Sequence, residues 1–236
     1  MKILLSLLLM IITLNADMFK EQKLNIKSIN DDKITVSKAN LMVGTSGIIL
    51  HNYDNNHHSI LANVRVVKSD AQGSTLVFDK FDSFNQDSIP NTNLEVTKED
   101  KVILNYLYNT AIVISPNSEL LQSVQNKYKD KIMFIHSDQF GAYLAIEHIP
   151  DPDKDDFKKF CNNRAIGLIF IVLKEKVHII DAKSFVTLKT YKHNQTITKM
   201  TVPFYTRVED IKESALDFLS SSIKDYMKYY SELIEE

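Results

Sequence analysis

A single cysteine, Cys161, excludes any intramolecular disulfide, so the fold must be held by its apolar core whatever the redox state of its compartment. Cys161 itself reads as a small buried residue on a helix, with a nucleophile or an intermolecular crosslink as the sharper alternative. Five glycines and five prolines in 236 residues leave little room for long disordered tracts, and 44% apolar with 25% charged residues is the balance of a globular protein. No glycine-rich loop of the P-loop or dinucleotide type is present, and no serine sits in a nucleophile-elbow sequence. No pair of carboxylates stands out for acid–base work, so the sequence offers no convincing active site and implies no cofactor. An excess of positive charge is missing too: 28 basic residues face 30 acidic ones, which argues against electrostatic capture of nucleic acid.

Long hydrophobic runs are confined to one place, the first sixteen residues. Lys2 precedes an apolar stretch from Ile3 to Leu14, and Asn15-Ala16 precede Asp17. One positive charge, a short apolar segment and a small exit residue predict a secretory signal peptide over residues 1–16, cleaved after Ala16. The run is shorter than the ~20 residues a membrane-spanning helix needs, so no transmembrane segment is expected after cleavage. The expected location is the periplasm or the outer-membrane surface of a Gram-negative bacterium. Removing Lys2 with the leader leaves 27 basic and 30 acidic residues.

An α+β fold is expected from the rest of the chain. A β-rich part over residues 17–109 would form a barrel or sandwich-like half, a mixed α/β part would follow, and residues 110–236 would end in an amphipathic helix. In the first part, Leu24 to Ile29 and Lys33 to Ser37 alternate in polarity across Asn30-Asp31-Asp32, which reads as a β-hairpin. Further strands are expected over Gly47–Tyr53, Ser59–Lys68, Ser74–Phe78 and Lys101–Leu107, with positive φ at the bend marked by Gly44 and Gly47. In the second part, apolar runs at Thr110–Ile114 and Ile132–Ile135 are each followed by capping residues and helical sequence. Ser115 with Pro116 predicts a helix over 119–128, Ser137-Asp138 one from Gln139 to Glu147, and Asp151-Pro152 one to Asn162. Strands are then expected over 165–173, 176–181, 186–191 and 197–202. The last segment, 209–236, places Ile211, Ala215, Leu219, Ile223, Tyr226, Tyr230 and Leu233 on one helical face. That stripe either packs on its own body or docks a partner helix.

Three local groupings carry residue types that chemistry could use. His51, Asp54, His57 and His58 crowd one loop and are weak candidates for Zn²⁺ or Cu²⁺, because neighbouring His57 and His58 would point apart on a strand and no second cluster completes the site. Ser115 to Asn117, at a strand end opening a helix, could hold an anion but is explained by capping. Asp151, Asp153, Asp155 and Asp156 resemble part of a calcium loop without its central glycine, and fit a helix start instead. No metal is therefore assigned.

A set of segments carries a family resemblance: Val43-Gly44-Thr45-Ser46-Gly47, His58-Ser59-Ile60-Leu61-Ala62, Tyr106-Leu107-Tyr108-Asn109, Ile114-Ser115-Pro116-Asn117, Ile135 to Phe140, Asp156-Phe157 with Phe160-Cys161, Asp181 to Phe185, and Pro203 to Arg207. Taken in order, they make the chain resemble the N-terminal domain of the plasminogen-binding protein family of Gram-negative surface proteins. The resemblance implies an exported, non-enzymatic protein of the cell surface engaged with host plasminogen. In that family the activity is associated with a lysine-rich C-terminal extension, because kringle domains take up a lysine ammonium with a nearby carboxylate. This sequence ends Ile234-Glu235-Glu236, so the lysine-site candidates are internal: Lys224 and Lys228, four apart, with Asp225 adjacent to one of them, against the plainer reading of a solvated helix face. The rival expectation is a periplasmic scaffold or envelope-assembly factor that docks another envelope protein.

Overall fold

A computed structural model describes residues 18–54, 56–81, 94–197, 200–208 and 223–235. The predicted leader, residues 1–16, and the helical stripe at Ile211, Ala215 and Leu219 lie outside them. Among the described residues no helix is long and apolar enough to cross a membrane.

The first six strands close into an antiparallel barrel. They are β1 (Gln22–Asn30), β2 (Lys33–Val36), β3 (Ser46–Asn52), β4 (His58–Asp70), β5 (Gly73–Lys80) and β6 (Lys101–Leu104), in the order β1-β2-β5-β4-β3-β6 with β6 returning to β1. Alternation sends Ile34, Val36, Ile49, Val64, Val66, Leu76, Val102 and Leu104 into the barrel core. Asp31 turns the first hairpin at φ 52°, as its Asn/Asp cluster suggests. β6 is shorter than expected because Asn105 and Leu107 both take positive φ and break the strand. Gly44 does adopt positive φ, at 92°, but Gly47 is needed for another reason. A Cβ there would lie 2.2 Å from the carbonyl oxygen of Ile103 on the neighbouring strand.

A second, five-stranded sheet has the order β11-β10-β9-β7-β8. Its strands are β7 (Thr110–Ile114), β8 (Met133–Ile135), β9 (Leu168–Val172), β10 (Lys176–Asp181) and β11 (Thr187–Lys192). β7 runs parallel to β8 and β9, while β9, β10 and β11 are antiparallel. β7 and β9 are buried along their whole lengths, as continuous apolar runs covered on both faces should be. Ala111, Val113, Leu168, Phe170, Val177 and Ile179 face helix α1 (Ser118–Tyr128). Ile112, Ile114, Ile169, Ile171 and Ile180 face the other way, under α2 (Ser137–Glu147), α3 (Lys154–Asn163) and α4 (Tyr226–Glu235).

The helices begin where caps are available, each near the expected position and each on a different residue. Asn117, not Ser115, caps α1 by accepting from Leu120 N; the Ser115 hydroxyl donates to the Asn117 carbonyl instead. The His136 ring caps α2 through Asp138 N. Asp153, not Asp151, caps α3 in a reciprocal box with Asp156. The strand expected at 197–202 does not form among its described residues. There the backbone bonds singly to the start of α1, with Thr201 N donating to Pro116 O.

Candidate functional site

The two sheets meet through one buried carboxylate. Asp181, at the end of β10, is 0% exposed, and its Oδ2 accepts from Ser46 N at 2.9 Å, Ser46 Oγ at 2.6 Å and the Tyr108 hydroxyl at 2.5 Å. Its Oδ1 accepts from Lys183 N at 3.0 Å and Ser184 N at 2.6 Å, the turn that a residue of this type makes with the backbone two and three positions on. Ser184 Oγ then reaches the barrel loop at Gly44 O, 2.7 Å away. Five donors around one carboxylate compensate for removing its charge from water. Burial, reinforced by the Asp181 charge, pushes the Tyr108 hydroxyl well above its ordinary pKa, so it stays a donor. The link between the sheets was not visible as a local pattern, because Ser46 and Asp181 stand 135 positions apart.

Beside this junction lies a cavity of about 100 Å³ bounded by Ile48, Leu107, Cys161, Ile166, Lys158 and Lys183. Ligand pockets usually enclose ~300–1,000 Å³, so this space suits a few waters better than an organic ligand. Cys161 is buried in its wall, and burial followed by the Asp181 charge pushes its thiol far above the ordinary range. A thiol held protonated is a poor nucleophile, which favours the packing role for Cys161.

The histidine loop separates into two pairs. His51 Nδ1 lies 2.6 Å from Asp100 Oδ1, a carboxylate only 1% exposed that also accepts from Thr97 N. His57 Nδ1 lies 2.8 Å from Asp54 Oδ2 at the tip of the β3–β4 hairpin. Asp54 is held below its ordinary range chiefly by the Asn56 N–H, then by His57. His58 opens β4 with an exposed side chain. Among the described residues no group of three or more histidine, cysteine or acidic side chains converges as a metal site would require.

The lysine candidates sit at the start of α4. Tyr226, Tyr230 and Leu233 turn into the core, and the Tyr226 hydroxyl donates to Ile114 O at 3.0 Å. Self-packing therefore accounts for the described part of the predicted apolar stripe. Lys228, on the opposite side of the helix, and Lys224, two residues before it, are exposed. Asp225 is engaged with its own backbone, accepting from Met227 N at 2.9 Å and Lys228 N at 3.1 Å. The carboxylate beside Lys228 is Glu232, 4.0 Å away one turn on. Both side chains of that pair are largely exposed, at 72% and 63%.

A family model described as the plasminogen-binding protein pgbA N-terminal region matches residues 21–234, which takes in the barrel, the second sheet and α4 up to Ile234. The chain belongs to this family. Plasminogen-binding protein PgbA of Helicobacter pylori strain J99 is 29% identical over 199 residues, covering 83% of this chain and 43% of the relative. The protein of the same name from strain 26695 matches with the same identity and coverage. The chain thus spans less than half the length of the curated relatives it matches. No solved structure matches the chain.

Proposed function

We propose that this chain is an exported, non-enzymatic surface protein that binds host plasminogen, and that it does so through the lysines at the start of α4. The observation that carries the reading is the family match across residues 21–234, whose curated members bear the plasminogen-binding name. The leader-like residues 1–16 support export. Lys228 is a candidate because its helix is anchored by buried Tyr226 and Tyr230, and Lys224 because it is exposed two residues before that helix begins. Asp225 is committed to capping, so Glu232 is the better carboxylate partner for a site that takes up both charges.

The test is binding of the protein to immobilised plasminogen with and without a free lysine analogue. Binding abolished by the analogue, and weakened about tenfold or more in the double variant Lys224→Ala, Lys228→Ala, is the expected result. Binding unchanged in that variant removes α4 as the site. Absent or lysine-insensitive binding turns the reading to an envelope scaffold, as does a protein that survives protease added to intact cells.

A further inference from the structure

The two ends of the barrel differ in a way that folding alone does not require. At the inner end, Leu41 and the loop before β3 cover the core, and Ser46 and Gly44 tie that end to the second sheet through Asp181 and Ser184. The outer end has no such cover from the described residues. Ile29, Leu61, Phe78 and Val96 extend the core outward only partly buried, and Leu94 is 42% exposed beyond them. These five side chains floor an open groove of about 510 Å³, bordered by the β1–β2 turn, the end of β5 and the segment leading to β6.

Charge around this apolar floor is one-sided. Asp31, Asp79 and Glu95 line the groove against a single Lys80. All three carboxylates are exposed, and no ion pair engages them among the described residues. Three like charges near one another are mutually repelled, so the groove gains from a cationic occupant. The apolar floor requires that the occupant also bring aliphatic or aromatic side chains.

We propose that the outer mouth of the barrel is a docking groove for a polypeptide segment whose apolar residues are flanked by lysine or arginine. Leu94 and Phe78 meet the apolar anchors, and Asp31, Asp79 and Glu95 meet the flanking cations. Lysine serves here on the incoming chain, with the carboxylates supplied by this protein, so the groove is independent of the exposed lysines of α4.

A fluorescently labelled peptide of alternating leucine and lysine is the probe, read by anisotropy against the protein from Asp17 onward. Saturable binding is expected, weakened about tenfold or more by the double variant Asp79→Lys, Glu95→Lys and separately by Leu94→Ser. All three positions are exposed, and unchanged thermal melting of the variants confirms that folding is retained. A photo-crosslinking version of the peptide should label the segment around Leu94, and Lys228→Ala should leave binding intact. Equal binding of a leucine and glutamate peptide, wild-type affinity in both variants, or crosslinks mapping elsewhere would overturn the proposal. The plasminogen measurement is separate, since loss at α4 leaves this readout unmoved.

Discussion

At the scale of single residues, His178 shows how burial and a neighbour set stability against pH. Its ring lies half-buried between β10 and α4, near Leu173, Met227 and Lys228. Burial first and the Lys176 charge second push its pKa below the ordinary value, with Glu235 opposing in part. The folded protein therefore binds a proton here less readily than the unfolded chain, whose histidine titrates near ~6.5. Stability from this group is fully present above that value and is lost as pH falls through the folded pKa. His178→Gln should accordingly flatten the fall in melting temperature between about pH 7 and pH 5, measured by circular dichroism. Asp138 works in the opposite chemical sense. Burial would raise its carboxyl, but the Arg207 N–H and guanidinium, then the Thr206 hydroxyl, hold it below the ordinary carboxylate range. It thereby ties residues 205–208 to the start of α2, together with the Ser137 hydroxyl on Tyr205 O.

Among elements, β3 is constrained at one position by its pairing with both β4 and β6. Gly47 allows the β6 backbone to approach, and Gly47→Ala would push a methyl group into Ile103 O and the Leu104 Cα at 2.8 Å. Backbone atoms cannot rotate away, so this variant should lose ~3 kcal/mol or more in urea unfolding, within the range of severe overpacking. Strand existence was legible from period-two alternation in β1, β2 and β5, and from continuous apolar runs in β7 and β9. The exact helix starts were less so, since Ser115, Asn117, Asp151, Asp153 and Ser137 are all capable caps. Which one is used depends on where the preceding element, a strand before α1 and α2 and a helix before α3, delivers the chain. In the segment 197–202, Ile197 and Val202 carry strand-forming side chains, yet Thr201 N donates to Pro116 O ahead of α1 rather than to a sheet partner.

Across the whole molecule, the barrel and the second sheet share the Asp181 junction, and that sharing should make them unfold together. Asp181→Asn would turn an amide NH₂ toward donors that need an acceptor, leaving Ser46 and Tyr108 partly unsatisfied in a dry site. We expect a loss of ~3–5 kcal/mol in equilibrium unfolding. The same variant should split hydrogen exchange, so that β3 amides lose protection before those of β9, where the native protein protects both as one unit. The sequence concealed this junction because its members are scattered over Ser46, Tyr108 and Asp181, each unremarkable among its neighbours. The family resemblance, by contrast, was readable because it rests on short local strings, Gly44–Gly47 and Asp181–Phe185 among them. Those strings are the two sides of the junction.

The long interval between Ser46 and Asp181 also sets a timetable. During synthesis at roughly 5–20 residues per second, the carboxylate that fastens the inner end of the barrel emerges some ~7–27 s after the strand it fastens. Until then β3 has its partners within the barrel but a bare Ser46 amide and an unfilled Gly44 loop at its base. The first half would need shielding from premature association while its last clasp is still to be made.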